Sequence, residues 1–210
     1  MTDTEPERKA PLDLWRIARA FLIALHALFG DPAQIAQRIC FRRKEYETIA
    51  RWVRAGEMLL RRLLLIEAAA LQLAPTPVRA RVKRARVRKL HAFHLEAPET
   101  WRVSFHVIDR GRRAAGHATP RTHAPGASSP AGAFPDAFPL ALRCEALLRA
   151  YNDPAPYARR LARRLARQPQ RAAAILAHTP DTHHVIPRED VDAVTSRAAA
   201  CWAPLAPDSS

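Results

Sequence analysis

Between residues 43 and 74, apolar side chains return every three or four positions: Tyr46, Ile49, Val53, Gly56, Leu60, Leu63, Ile66, Ala70 and Leu73. An α-helix gathers that spacing onto one face. The chain is therefore expected to build on a helix of about thirty residues, about 45 Å long at the α-helical rise. Trp52, Leu59, Leu64 and Leu65 widen the stripe and predict burial on more than one side. Glu57 and Arg61 form an i,i+4 pair of favourable order. Glu67, set among leucines, is expected to be partly buried with an arginine as partner. Pro75 and Pro77 end the run.

Around this helix the pattern is again mostly helical. Residues 1–10 read as a flexible tail. Leu14, Ile17, Phe21, Leu25 and Leu28 give a first helix over 12–29, with His26 at its core or boundary. Gly30 supplies the stop, and Asp31-Pro32 the cap and first turn of a short helix to about Ile39. Further helices are expected at 139–151, from 154 through Arg167, near 171–177 and near 189–201. The joint Asp31-Pro32-Ala33 is echoed by Asp153-Pro154-Ala155. That echo fits either shared capping chemistry or a duplicated helical hairpin.

Two stretches depart from helical spacing. Trp101, Val103, Phe105 and Val107 alternate with polar neighbours, which predicts a β-hairpin over 90–108 with its turn at 96–100. A lone hairpin is marginal, so its apolar face must pack on the helices or on a second chain. Residues 109–136 hold four of the six glycines and many Pro, Ser and Thr, and read as a disordered linker. The expected organisation is an N-terminal helical part with hairpin (11–108), the linker, a C-terminal helical part (137–202) and a flexible tail (203–210). The fold class is mainly α, a helical bundle around the long helix.

Charge then narrows the function. The 210 residues carry 34 Lys+Arg against 20 Asp+Glu, a formal net charge of +14. Thirty of the cations are Arg, and GC-rich codons account for part of that excess. Their placement is not uniform, however. Residues 75–113 contribute +8 and residues 143–171 contribute +6, and the remainder of the chain balances. The first cluster centres on Arg79, Arg81, Lys83, Arg84, Arg86, Arg88 and Lys89, which read as a basic arm. The second is an amphipathic helix over 155–167. It sets Tyr157, Leu161 and Leu165 on one stripe and Arg159, Arg160, Arg163, Arg164 and Arg167 on the other. Such a face suits phosphates, an anionic membrane or an acidic protein, unless it is simply a solvated surface.

Catalytic and metal chemistry find little support. Neither G-x-x-x-x-G-K-[ST], G-x-G-x-x-G nor G-x-S-x-G occurs. Cys40, Cys144 and Cys201 are far apart and fall on apolar faces of the expected helices, which argues for a reducing compartment. His91 and His94, three apart on a strand, would point to opposite sides. Asp181, His183 and His184 match no structural-zinc spacing. No metal or cofactor is expected. A helix-turn-helix over 34–53, with Arg42, Arg43, Lys44 and Arg51 facing a groove, has suitable spacing. It lacks the turn glycine, and its second helix is far too long. The N-terminus lacks the layout of a secretory signal, and no run offers 18 uncharged apolar residues, so a cytoplasmic protein without a transmembrane segment is expected.

RWVRAGEMLLRRLLLIEAAAL (51–71), ETWRVSFHV (99–107) and, most specifically, NDPAPYARRLARRL within 139–167 resemble uncharacterised short basic proteins of GC-rich proteobacteria. That resemblance implies a bacterial helical protein and brings no activity, cofactor or partner with it. The reading from the residues is a non-enzymatic binding protein. It engages a polyanion, foremost nucleic acid, through 79–89 and 155–167. The alternatives are a helical interaction module for an acidic protein or a second copy of itself, and peripheral attachment to anionic membrane by the 155–167 helix.

Overall fold

A computed structural model describes residues 8–71, 94–108, 135–178 and 185–202. Its elements in chain order are α1 (Leu12–Phe29), α2 (Pro32–Gln37), α3 (Arg43–Ala70), a 3-10 turn (Pro98–Thr100), α4 (Phe138–Asn152), α5 (Ala155–Leu165), α6 (Arg171–Ala177) and α7 (Arg188–Trp202). The described chain is thus mainly helical.

Capping chemistry sets the first joint. Gly30 takes φ +86° after α1, and its N–H closes on the His26 carbonyl. Asp31 Oδ1 accepts from the Gln34 N–H at 2.7 Å while Gln34 Oε1 accepts from the Asp31 N–H at 3.0 Å, a complete capping box. A side chain at Gly30 would collide with Gln34, so glycine is required there on two counts. The echo at Asp153 lacks this box. Its third residue is Pro156, which has no N–H to donate, and α5 starts without a side-chain cap. After α2, Ile39 adopts φ +60°, a strained value for a β-branched residue.

Helix α3 is 28 residues long and packs against α1, α4, α5, α6 and α7. Leu63, Leu64, Leu65 and Ile66 are all buried. Four successive residues point in four directions about 100° apart, so this half of the helix is enclosed on every side. Its charged residues are buried as well. Glu67 accepts from the backbone N–H groups of Lys9 and Ala10 at 2.9 Å and from the Trp15 indole at 3.1 Å. The arginine expected there is replaced in this role by N–H donors of the N-terminal segment. Arg62, 0% exposed, donates through Nη2 to the carbonyls of Leu176 and His178 at the end of α6. Its Nε and Nη1 have no hydrogen-bond partner. Burial lowers its pKa, and Asp192 only partly opposes this.

The expected β-hairpin is overturned. Its first residues, 90–93, lie outside the described part, and no strand occurs among the described residues. The chain makes the 3-10 turn at Pro98–Thr100, runs without a bend through 102–106 and bends at 107 and 108. The alternation itself is real, since Trp101, Phe105 and Val107 are buried while Arg102, Ser104 and His106 are exposed. Helices, not a second strand, cover the apolar side. Trp101 meets Phe138 edge-on at 5.3 Å, Phe105 meets Tyr157 at 5.9 Å, and Arg61 Nε donates to the His106 carbonyl at 2.9 Å. Period-two burial requires only an extended chain with one covered face, and a helical surface covers it as well as a sheet does.

Residues from both sides of the expected linker share one apolar core. The last residues of that expected linker are ordered against α2: Asp136 bridges Cys40, and the Phe41 N–H donates to the Pro135 carbonyl at 3.1 Å. Residues 109–134 lie outside the described part. Cys40 is exposed rather than apolar-buried, because it sits on this bridge and not on a helix face. His26 is likewise exposed on the outer side of α1.

Candidate anion-binding surfaces

Helix α5 places its two faces as its spacing demands. Ala158, Leu161, Ala162 and Leu165 are buried against the core. Arg159, Arg160, Arg163, Arg164 and Arg167 are exposed. None of these five forms an ion pair among the described residues. Arg160 lies over the Tyr157 ring at 5.6 Å, and Arg159 Nε reaches only its own helix at Ala155 O, 3.4 Å away. Burial raises the Tyr157 pKa, against the opposing pull of Arg160 and Arg149. Elsewhere arginines meet carboxylates: Arg16 with Asp13, Arg38 with Glu45, Arg43 with Glu47, Arg149 with Glu145 and Arg188 with Asp192. The other predicted cluster, Arg79 through Lys89, lies outside the described residues, as do His91, Asp181, His183 and His184.

The helix-turn-helix arrangement finds a different use for its parts. Helix α2 spans only six residues and packs on α4, while Arg43 is committed to Glu47 of its own helix.

A second cationic feature was missed by sequence reasoning. A cleft of about 670 Å³ opens between α3, the extended 102–106 segment and α4. Arg54, Glu57 and Arg61 line it from α3, at spacings of three and four that share one helix face. Arg102 and His106 enter from the extended segment, Leu142 and Arg143 from α4, and His178 from the end of α6. Glu57 ties the walls together: it accepts from Arg61 Nη2 at 3.2 Å and from Arg143 Nε at 2.8 Å. Burial opposes the charge of Arg143, but the hydrogen bond and charge of Glu57 outweigh it and leave its pKa raised. Arg54 and Arg102 form no hydrogen bond or ion pair among the described residues. These residues are scattered over four segments, so no local spacing could have announced them; only the Glu57–Arg61 pair was visible in advance.

Other chemistry is sparse here. Among the described residues, no three His, Cys, Asp or Glu side chains come together to hold a metal ion. Burial pushes the Cys144 thiol up to about 12, far from nucleophilic range. No described helix is long and apolar enough to cross a membrane. Comparison with known proteins brings no relative: no family model, curated protein or solved structure matches the chain.

Proposed function

We propose that this is a non-enzymatic basic binding protein whose α5 face engages a polyanion, nucleic acid in the first place. One observation carries the reading: four arginines of α5 and Arg167 just beyond it crowd one exposed face, and none of the five meets a carboxylate among the described residues. Like charges crowded at i,i+3 and i,i+4 repel one another, and phosphates supply the missing counter-charge. From Arg159 to Arg167 the face runs about 12 Å along the helix axis, enough to follow several phosphates. The charge of the 79–89 tract adds to it. Insertion of α5 into a membrane is disfavoured, because Leu161 and Leu165, the side chains that would enter the lipid, are 0% and 1% exposed.

Salt titration of DNA and RNA oligonucleotide binding to the full chain tests this. With six to eight phosphates contacted, log K falls against log salt with a slope of about −5 to −7. Replacing Arg163 and Arg164 together by Gln makes that slope shallower by about 2. Undetectable binding at about 50 mM salt, or a slope that ignores the double substitution, overturns the reading.

A second reading, self-association through α1, is favoured by Leu12 and Ile23, which are 55% and 59% exposed on the same side of that helix. It predicts a dimer by light scattering that persists in high salt, because apolar burial is not screened.

A further inference from the structure

We propose that the cleft between α3 and α4 is a binding site for a phosphate monoester carried on an apolar organic body, a ligand of mononucleotide size. This stands apart from the α5 reading and uses none of its residues.

Four arginines, Arg54, Arg61, Arg102 and Arg143, line the cleft together with a single carboxylate, Glu57. Each Glu57 oxygen accepts from one arginine, Oε2 from Arg61 and Oε1 from Arg143. The carboxylate therefore serves as a fixed strut. It orients Arg143 through Nε and leaves the two Nη groups of that side chain without a partner among the described residues. Arg54 and Arg102 keep all their donors. Three planar forks remain to be satisfied around one opening, and a guanidinium fork matches phosphate oxygens two at a time. A dianion answers the excess of positive charge better than a single carboxylate does.

Size and lining supply the rest. A volume of about 670 Å³ far exceeds what a bare phosphate fills and falls within the usual range for small-molecule sites. Beside the arginines, Val103 and Leu142 give the lining an apolar part on which an organic body can rest. The strut is itself well anchored, since Arg61 is 7% exposed and also held by the His106 carbonyl at 2.9 Å. Glu57, Arg61 and Arg143 are therefore held in place in advance of any ligand, while Arg54 and Arg102 stand exposed in the lining.

The test is calorimetric titration of the full chain at about 50 mM salt with adenosine monophosphate, adenosine and inorganic phosphate as probes. Adenosine monophosphate is expected to saturate at one per chain, with adenosine and inorganic phosphate each weaker by about tenfold or more. Arg54→Gln and Arg102→Gln, both at exposed positions, should each weaken the nucleotide by about ten- to a hundredfold. Arg16→Gln on α1 should leave it unchanged. Oligonucleotides with and without a 5′-phosphate separate the two sources of the group. A phosphate-dependent gain that the mononucleotide competes away assigns the site to nucleic-acid ends. Indifference to the terminal phosphate assigns it to a free phosphomonoester. Absence of saturable mononucleotide binding below about 10 mM, or binding unmoved by both substitutions, overturns the proposal.

Discussion

The indole of Trp15 donates to Glu67 Oε1 across 3.1 Å, joining the first turn of α1 to the enclosed end of α3. The same carboxylate takes the backbone N–H groups of Lys9 and Ala10, so one buried acid holds the N-terminal segment against the core. Glu67→Ala leaves several donors without an acceptor and is expected to cost about 2–4 kcal/mol in urea denaturation. Trp15→Phe keeps the ring and loses one bond, so about 1–2 kcal/mol is expected. A loss under about 0.5 kcal/mol for Glu67→Ala would mean that the segment is held by other contacts.

Gly56 marks the closest approach to α3. A Cβ there would lie 2.6 Å from Phe21 Cε1 and 3.2 Å from Leu147 Cδ1. Alanine in a helix interior normally stabilises by about 1 kcal/mol over glycine. Here the overpacking cost of about 1–3 kcal/mol opposes that gain. The cost wins, because the Phe21 ring is buried and stacked on Trp52 at 5.6 Å, which resists its displacement. Gly56→Ala is therefore expected to lower the denaturation midpoint, and Phe21→Leu in the same chain to recover part of the loss. Additive losses in that double-mutant cycle would contradict the contact.

Arg62 is a buried cation with only part of its hydrogen-bonding capacity used. Met at this position keeps the length of the stem and removes the desolvated charge. The exchange also leaves the Leu176 and His178 carbonyls without their donor, so the two effects oppose and a net change within about 1–2 kcal/mol of zero is expected. Arg62→Ala opens a cavity instead and should cost about 2–4 kcal/mol. Thermal and urea unfolding of the two variants separates packing from charge. A loss of more than about 2 kcal/mol for the Met variant would show that the charge itself is needed.

Helix positions were legible because helical order is local. The spacing read over 12–29 and 171–177 coincides with α1 and α6, and the long run ends in the described chain at Ala70. Even the difference between the two Asp-Pro-Ala joints is written locally, in Gln34 against Pro156. The two faces of α5 follow from its spacing in the same way. The hairpin expectation failed because alternation specifies an extended chain with one buried face and does not specify what covers it.

What the chain determines by itself is where helices begin, which stripe of each is apolar and where cationic side chains are concentrated, since these depend on neighbours one to four residues away. Tertiary structure alone decided which polar groups meet. It brought Glu57 to Arg143, Glu67 to Trp15, and Arg102 and Arg54 to the lining of one cleft. Those partners are separated by dozens of residues, and only the packing of α1, α4 and the extended segment on α3 brings them within reach.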